Sequence, residues 1–230
     1  MIRANLAAVR ERIKEAAKRS GRNPEAIELV LVSKNVSVER MMEAYAAGER
    51  KFGENRVQEL LDKKNFLPKD IEWHFIGHLQ TNKVKSVLPD VSLIHSVDSF
   101  RLAEEVNAKA ALLKKKVPVL VQVNTSGEQT KFGAAPAELP EILKAVSGFE
   151  YLDLRGLMTI GPLTENEQLM RNSFHELASL SKEWSEKGFP GLLKLSMGMS
   201  HDFELAIEEG ADIVRIGTAV FGERNVTRAA

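Results

Sequence analysis

The chain has 230 residues, of which 43% are hydrophobic, and its formal net charge is zero. This length suits one sizeable domain with a full core, and the charge balance argues against nucleic-acid binding, which usually needs a basic excess. The sequence contains no cysteine. That absence excludes disulfides, thiolate catalysis and cysteine metal sites, and it favours an intracellular setting.

The amino-terminal segment predicts a charged amphipathic helix. Leu6, Val9 and Ile13 recur at helical spacing among charged residues, and Gly21 ends the pattern. We expect this helix, within residues 1–20, to pack on the rest of the chain. The segment lacks the apolar stretch of a secretory signal, and no apolar run approaches the ~20 residues that span a bilayer. We therefore expect a soluble, cytoplasmic protein.

Eight short apolar segments predict β-strands, and a helical pattern follows nearly every one. Several are continuous runs of Val, Ile and Leu, as expected for strands buried on both faces of a parallel sheet. The predicted strands cover residues 27–34, 51–53, 71–77, 92–96, 117–123, 152–158, 192–195 and 213–216. The predicted helices between and after them cover residues 38–47, 55–64, 81–87, 99–115, 137–146, 166–187 and 201–209.

This alternation predicts an α/β fold in which eight parallel strands close into a single (β/α)₈ TIM barrel. The main alternative is an open doubly wound sheet, but the G-x-G-x-x-G turn that usually follows its first strand is missing here. No linker or change in composition marks a second domain, so we expect one domain over residues 1–230. We interpret the lysine runs at 63–64 and 114–116 as solvated helix ends.

Candidate site residues follow from the rule that barrels of this kind do their chemistry where strands end and the following loops begin. Lys34 ends the first predicted strand, and Asn55 lies after the second. Arg215 lies in the last strand, where it alternates with Val214 and Ile216 and therefore faces the opposite side, into the barrel. An arginine buried there needs a carboxylate or a bound ligand.

Two loops rich in small residues follow the seventh and eighth strands, where such barrels bind phosphate. The first loop runs from Ser196 through Met199 to Ser200, and the second contains Gly217 and Thr218. Ser200 has an alternative interpretation, since it could simply cap the helix that follows.

Together, an amine, a guanidinium and two anion-binding turns are the parts of a site for pyridoxal 5′-phosphate (PLP). The amine of Lys34 would form an imine with the aldehyde, the turns would hold the phosphate, and another side chain would face the ring nitrogen. Lys34 could instead be a surface lysine at the end of a strand. The five histidines lack the spacings of metal sites, and we interpret His74 as a core residue.

The sequence also resembles the pyridoxal phosphate homeostasis protein family, in segments that span nearly the whole chain in the right order. These segments lie at residues 31–34, 52–55, 73–83, 156–159, 195–200 and 214–222, and the stretch WHFIGHLQTNK at 73–83 is close to a family signature. The family is in turn similar to the amino-terminal barrel of alanine racemase, a fold-type III PLP enzyme.

The resemblance implies a role for most of these candidate residues. Lys34 would carry the cofactor as a Schiff base, Arg215 would face the pyridine nitrogen, and Asn55 would lie near the ring. The residues implied around the phosphate are Ser196, Ser200, Gly217 and Thr218.

Two departures separate this chain from its relatives. Family members often carry a second lysine two residues after the first, but Val36 stands there, so this chain has no alternative amine next to Lys34. Alanine racemase has a carboxyl-terminal β-domain that supplies a catalytic tyrosine across a dimer. This chain stops at Ala230, and its two tyrosines, Tyr45 and Tyr151, do not lie in such a domain. We expect a monomer.

Three classes of function remain open. The first is a PLP-binding homeostasis protein that holds the cofactor and exchanges it with apo-enzymes. The second is an amino-acid racemase, which needs an acid-base group on each face of the substrate carbanion; Lys34 could serve one face, but no partner for the other is evident. The third is a Schiff-base aldolase without cofactor, whose turns would hold a sugar phosphate. We favour the first, because an arginine opposite the ring nitrogen also weakens the electron sink.

Overall fold

The computed structural model describes residues 1–128, 130–189, 191–192 and 194–223. Eight parallel strands form a closed barrel, in which each strand pairs with the next and the last pairs with the first. The strands are β1 (Glu28–Val32), β2 (Lys51–Glu54), β3 (Glu72–Phe75), β4 (Val91–Val97), β5 (Val117–Gln122), β6 (Leu152–Met158), β7 (Lys194–Ser196) and β8 (Ile213–Ile216). The predicted (β/α)₈ TIM barrel is confirmed.

One helix precedes the first strand, and the others follow the successive strands. They are α1 (Ile2–Arg19), α2 (Val38–Ala46), α3 (Val57–Lys64), α4 (Val84–Val87), α5 (Phe100–Leu113), α6 (Leu139–Gly148), α7 (Glu167–Glu186), α8 (Phe203–Glu208) and α9 (Thr218–Phe221). Three-residue 3₁₀ turns lie at 24–26, 81–83 and 136–138. Within the described ranges, no helix is both long and apolar enough to cross a bilayer.

Two apolar clusters form the core, because side chains alternate between the two faces of each strand. The small cluster lies inside the barrel and consists of Val30, Leu93, Leu120, Met158 and Ile213. The neighbours of Val30 along the strand, Leu29 and Leu31, belong to the larger cluster between the barrel and its helices. Closer to the carboxyl ends of the strands, the inward positions include four buried polar residues, His95, Gln122, Ser196 and Arg215.

The lysines interpreted as solvated helix ends are partly structural, which corrects the prediction. Lys63 has only 11% of its side chain exposed and pairs with the buried Glu54. The amine of Lys115 donates hydrogen bonds to the carbonyls of Leu88 and Val91, each at 2.8 Å. These two side chains therefore tie helices to the ends and loops of the strands.

Helix α1 packs against α8, α9 and α2, and so connects the beginning of the chain to its last elements. The buried residues on its apolar face include Ile2, Leu6, Val9 and Ile13. Arg12 pairs with Glu204 of α8 at 2.7 Å, and the amide nitrogen of Asn5 donates to the carbonyl of Val220 in α9 at 2.9 Å.

Candidate functional site

The eight predicted site residues lie around one opening of the barrel, here called the barrel mouth, because parallel strands end on the same side. They are Lys34 after β1, Asn55 after β2, Ser196 at the end of β7, Met199 and Ser200 in the loop that follows, Arg215 in β8, and Gly217 and Thr218 after it. The barrel topology thus brings together residues that are far apart in the sequence.

Lys34 lies in a tight turn that charged residues of α3 hold in place. The next residue, Asn35, has a left-handed backbone with φ of 57°, and its N–H donates to Oε2 of Glu59 at 2.8 Å. On the other side, the carbonyl of Ser33 accepts from Nζ of Lys63 at 2.7 Å. The backbone is therefore anchored on both sides of Lys34.

Glu54 completes this support from the end of β2. Its side chain is fully buried, and Oε1 accepts from the hydroxyl of Ser33 at 2.7 Å and from Nζ of Lys63 at 2.8 Å. Burial raises the pKa of Glu54, while the charge of Lys63 opposes that rise. A buried carboxylate in this position needs its lysine.

The guanidinium of Arg215 is buried in the barrel mouth. Nη1 donates to Oγ of Ser196 at 2.7 Å, and Nη2 donates to the carbonyl of Thr159 at 2.8 Å. Burial lowers the pKa of Arg215 to about 10, against the opposing effect of Asp202. The sequence correctly predicted an inward-facing arginine, but its direct partners are a hydroxyl and a carbonyl rather than a carboxylate.

Ser200 joins the loops that follow β7 and β8. Its Oγ accepts the backbone N–H groups of Gly217 and Ala219, both at 3.2 Å. Thr218 lies between them and is exposed. These contacts bring the two loops predicted to bind phosphate side by side.

The loop after β7 is compact because Gly198 has a positive φ of 91° and packs closely on α8. A Cβ at this position would lie 2.6 Å from Cβ of Ala206, so only glycine fits. The interpretation of Ser200 as a helix cap is wrong, since α8 begins one residue after Asp202. Oδ1 of Asp202 instead accepts the N–H of Met199 at 2.5 Å, which stabilises the turn.

Four buried side-chain oxygens have no hydrogen-bond partner among the residues that the structure describes. They are Oε2 of Glu54, Oδ1 of Asn55, Oγ of Ser96 and Oδ2 of Asp202. All four lie at or beyond the carboxyl ends of strands, on the same side of the barrel as Lys34. Glu54 and Ser96 point toward the helices, because their strand neighbours Gly53 and His95 point into the barrel. Buried polar atoms are normally hydrogen-bonded, so Oδ1 of Asn55 has an acceptor position left for a polar ligand in the barrel mouth.

A chain of buried hydrogen bonds leads from Arg215 into the barrel. Oγ of Ser196 lies 2.9 Å from Nδ1 of His95, whose Nε2 lies 2.9 Å from Nδ1 of His74. Burial lowers the pKa of both rings, to about 4 for His74. His74 is buried, in agreement with its interpretation as a core residue. The contribution of His95 was missed, although its alternation with the inward-facing Leu93 could have revealed it.

The family of the chain follows from sequence comparison. A family model described as the amino-terminal domain of alanine racemase matches residues 4–225. The pyridoxal phosphate homeostasis protein of Aquifex aeolicus is 47% identical over 220 residues, which cover 95% of this chain and 96% of that protein. The chain belongs to the pyridoxal phosphate homeostasis protein family. The resemblance seen in its motifs is thereby confirmed.

Solved structures agree with this family assignment. PipY of Synechococcus elongatus PCC7942, solved with PLP bound, matches with a TM-score of 0.83 at 36% identity and covers 96% of this chain and 100% of its own. Alanine racemase of Clostridium difficile 630 matches with a TM-score of 0.77 at 19% identity, over all of this chain but 58% of the enzyme. That second likeness shows a shared barrel fold only.

Proposed function

We propose that this member of the pyridoxal phosphate homeostasis protein family binds PLP in the barrel mouth, holds it covalently on Lys34 and exchanges it with apo-enzymes. The observation that carries the proposal is that the barrel places Lys34, in its anchored turn, at the same end as the buried Arg215 and the unpartnered Oδ1 of Asn55. PLP supplies an aldehyde that condenses with amines and a ring that withdraws electrons.

Attachment requires an amine that reaches the aldehyde carbon. Nζ of Lys34 would be this amine, and its condensation with the aldehyde would release one water, so no other reactant would be needed. The contacts of Ser33 and Asn35 fix the backbone from which the amine extends. These contacts would keep the turn in place while the amine binds the cofactor.

Other residues of the barrel mouth would bind the rest of the cofactor. Arg215 would donate a hydrogen bond to the ring nitrogen, and Asn55 would lie beside the ring. The phosphate would bind to the joined loops after β7 and β8, whose polar groups belong to Ser196, Met199, Ser200, Gly217 and Thr218.

We favour holding the cofactor over turnover of a substrate. An arginine with a pKa of about 10 stays charged at neutral pH, and a charged donor beside the ring nitrogen keeps that nitrogen unprotonated. An unprotonated ring stabilises a carbanion poorly, which weakens the case for the alternative amino-acid racemase. A monomer in the cytoplasm suits this role.

The test is an absorbance spectrum of the purified protein with PLP. We expect the wild type to show an imine band and to be fixed to PLP by borohydride, whereas Lys34→Ala should lose the band and keep its circular dichroism. Lys131→Ala is the matched control, because its amine already donates to Glu128 and to the carbonyl of Gly161, both at 2.7 Å. A band retained in Lys34→Ala would contradict the assignment and move attachment to Lys83 or Lys131.

A further inference from the structure

We infer that His95 and, behind it, His74 are positioning residues that fix Arg215 toward the cofactor. The inference rests on the proposed function, since it assigns these histidines a purpose only if a ligand lies in the barrel mouth. Neither residue belongs to the set that would touch the cofactor. Both act through Ser196.

The directions of the hydrogen bonds follow from which groups can accept. An arginine only donates, so Oγ of Ser196 accepts from Nη1 of Arg215 at 2.7 Å. The hydroxyl hydrogen must then point to another acceptor, and Nδ1 of His95 lies 2.9 Å away. His95 therefore accepts at Nδ1 and, as a neutral ring, carries its hydrogen on Nε2.

The same reasoning extends to His74. Nε2 of His95 donates to Nδ1 of His74 across 2.9 Å, so His74 in turn carries its hydrogen on Nε2. His74 lines a cleft at the amino end of the barrel together with Glu28, Lys51 and Lys194. The chain of hydrogen bonds thus runs from this cleft to the barrel mouth, and the donor and the acceptor in each bond are fixed.

Both rings must be neutral for this arrangement to exist. A protonated His95 would present a hydrogen on Nδ1 to the hydroxyl of Ser196, and it would place a second positive charge near Arg215. Complete burial disfavours that charge, and the neighbouring His74 and Arg215 lower the pKa of His95 further. At the far end, Lys51 also lowers the pKa of His74, whereas Glu28 raises it.

The guanidinium of Arg215 is therefore held at two points, by Ser196 and by Thr159. The carbonyl of Thr159 is a fixed backbone acceptor, whereas a serine hydroxyl accepts in one orientation only while its own hydrogen is engaged. Without His95, Ser196 is free to rotate, and the guanidinium keeps a single fixed anchor. Its orientation toward the ring nitrogen would then be lost in a fraction of molecules.

The experiment compares two substitutions of His95 in the full chain with PLP. His95→Leu removes both ring nitrogens, whereas His95→Gln keeps one acceptor and one donor. We expect His95→Leu to shift the absorption band of bound PLP and to weaken its binding about tenfold, the effect of losing one hydrogen bond in a charged network. His95→Gln should recover most of both. Ile94→Val, a buried neighbour on the same strand, controls for loss of stability alone.

The outcomes separate positioning from packing. A lower melting temperature with unchanged band and affinity in His95→Leu would overturn the inference, and so would a folded His95→Gln that behaves like His95→Leu. If His95→Leu does not fold, His74→Leu replaces it, and an unchanged band there also overturns the inference. Failure of the proposed function itself is distinguishable, because the wild type would then lack a Lys34-dependent band.

Discussion

At the residue scale, the hydroxyl of Ser200 joins the two loops proposed to hold the phosphate. Its hydroxyl already accepts two backbone N–H groups, from Gly217 and Ala219. Replacing it leaves those donors without a partner and widens the gap between the loops. The phosphate half of the site can therefore be tested separately from the attachment of the aldehyde.

We expect the double substitution Ser200→Ala with Thr218→Val to weaken PLP binding without affecting pyridoxal, which has no phosphate. Each lost hydroxyl costs about 0.5–1.5 kcal/mol for a neutral hydrogen bond and up to ~3 kcal/mol for one to a charged group. Together they should raise the Kd for PLP about ten- to a thousandfold. Titration of the absorbance with each ligand measures both constants.

The control for this pair is Ser126→Ala, a hydroxyl in the loop after β5 that donates to Asn124 at 3.0 Å. Equal weakening of PLP and pyridoxal would mean general damage to the barrel mouth, and the phosphate assignment would be wrong. If neither ligand binds more weakly, the anion binds to other loops, and the loop after β5 is the next to test.

At the scale of elements, the turn that carries Lys34 depends on helix α3. We expect Lys63→Met to lower the free energy of unfolding by about 3–5 kcal/mol, because it leaves Glu54 buried without its partner. Adding Glu54→Gln should restore much of this loss. Urea unfolding of the two single variants and the double variant measures the coupling, and PLP titration shows whether the turn still supports attachment.

Lys64→Met is the matched control, one residue along the same helix. Its pair with Asp90 is more exposed, so its loss should cost ~0.2–1 kcal/mol. The loss in Lys63→Met should also be larger at pH 8 than at pH 5. Without the positive charge of Lys63, the pKa of the buried Glu54 rises further. A carboxyl group whose pKa is raised on folding lowers the stability of the protein as the pH rises through that pKa. Equal losses in the two lysine variants would refute the support assigned to α3.

Periodicity predicted all eight strands and most helices, with ends that differ from the structure by up to three residues. Helix α9 was missed because four residues are too short to show a period. The prediction that Lys63 is solvated was wrong because its partner Glu54 lies in another element. The charges in a sequence do not show which helix packs against which strand. The loops of the site were predictable from the barrel rule. The hydrogen bond between Ser196 and His95 was not, because it forms only where β7 and β4 place these side chains at the same level inside the barrel.

At the scale of the whole molecule, the neutral histidines inside the barrel make stability depend on pH. The pKa of His74 falls from an ordinary 6.5 to about 4 on folding, so the unfolded chain takes up the proton first. The contribution of the neutral histidines to the free energy of unfolding is therefore fully present above pH 6.5 and is lost as the pH falls toward 4. His74 alone accounts for up to about 3 kcal/mol of this loss. Urea unfolding between pH 7.5 and 5 measures this slope.

The carboxylates with lowered pKa, such as Glu28 and Glu208, also lose stability in acid, but from about pH 4.5 downward. Above pH 5 the loss of stability toward acid therefore comes from the histidines, whereas Glu54, whose pKa is raised, changes stability in the opposite direction. His74→Gln should flatten the slope in that window, and a wild-type stability that is constant between pH 7 and 5 would contradict the neutral pair.

The contact of helix α1 with α8 and α9 has a consequence during protein synthesis. The ribosome makes α1 before its main partners, with residues 20–202 between them. At ~5–20 residues per second, this interval lasts about 10–40 s. Meanwhile the apolar face around Leu6 and Ile13 lacks the cover of these helices, which leaves on the nascent chain the kind of apolar surface that chaperones bind. Helix α1 thus completes its native packing only after α8 and α9 have been made.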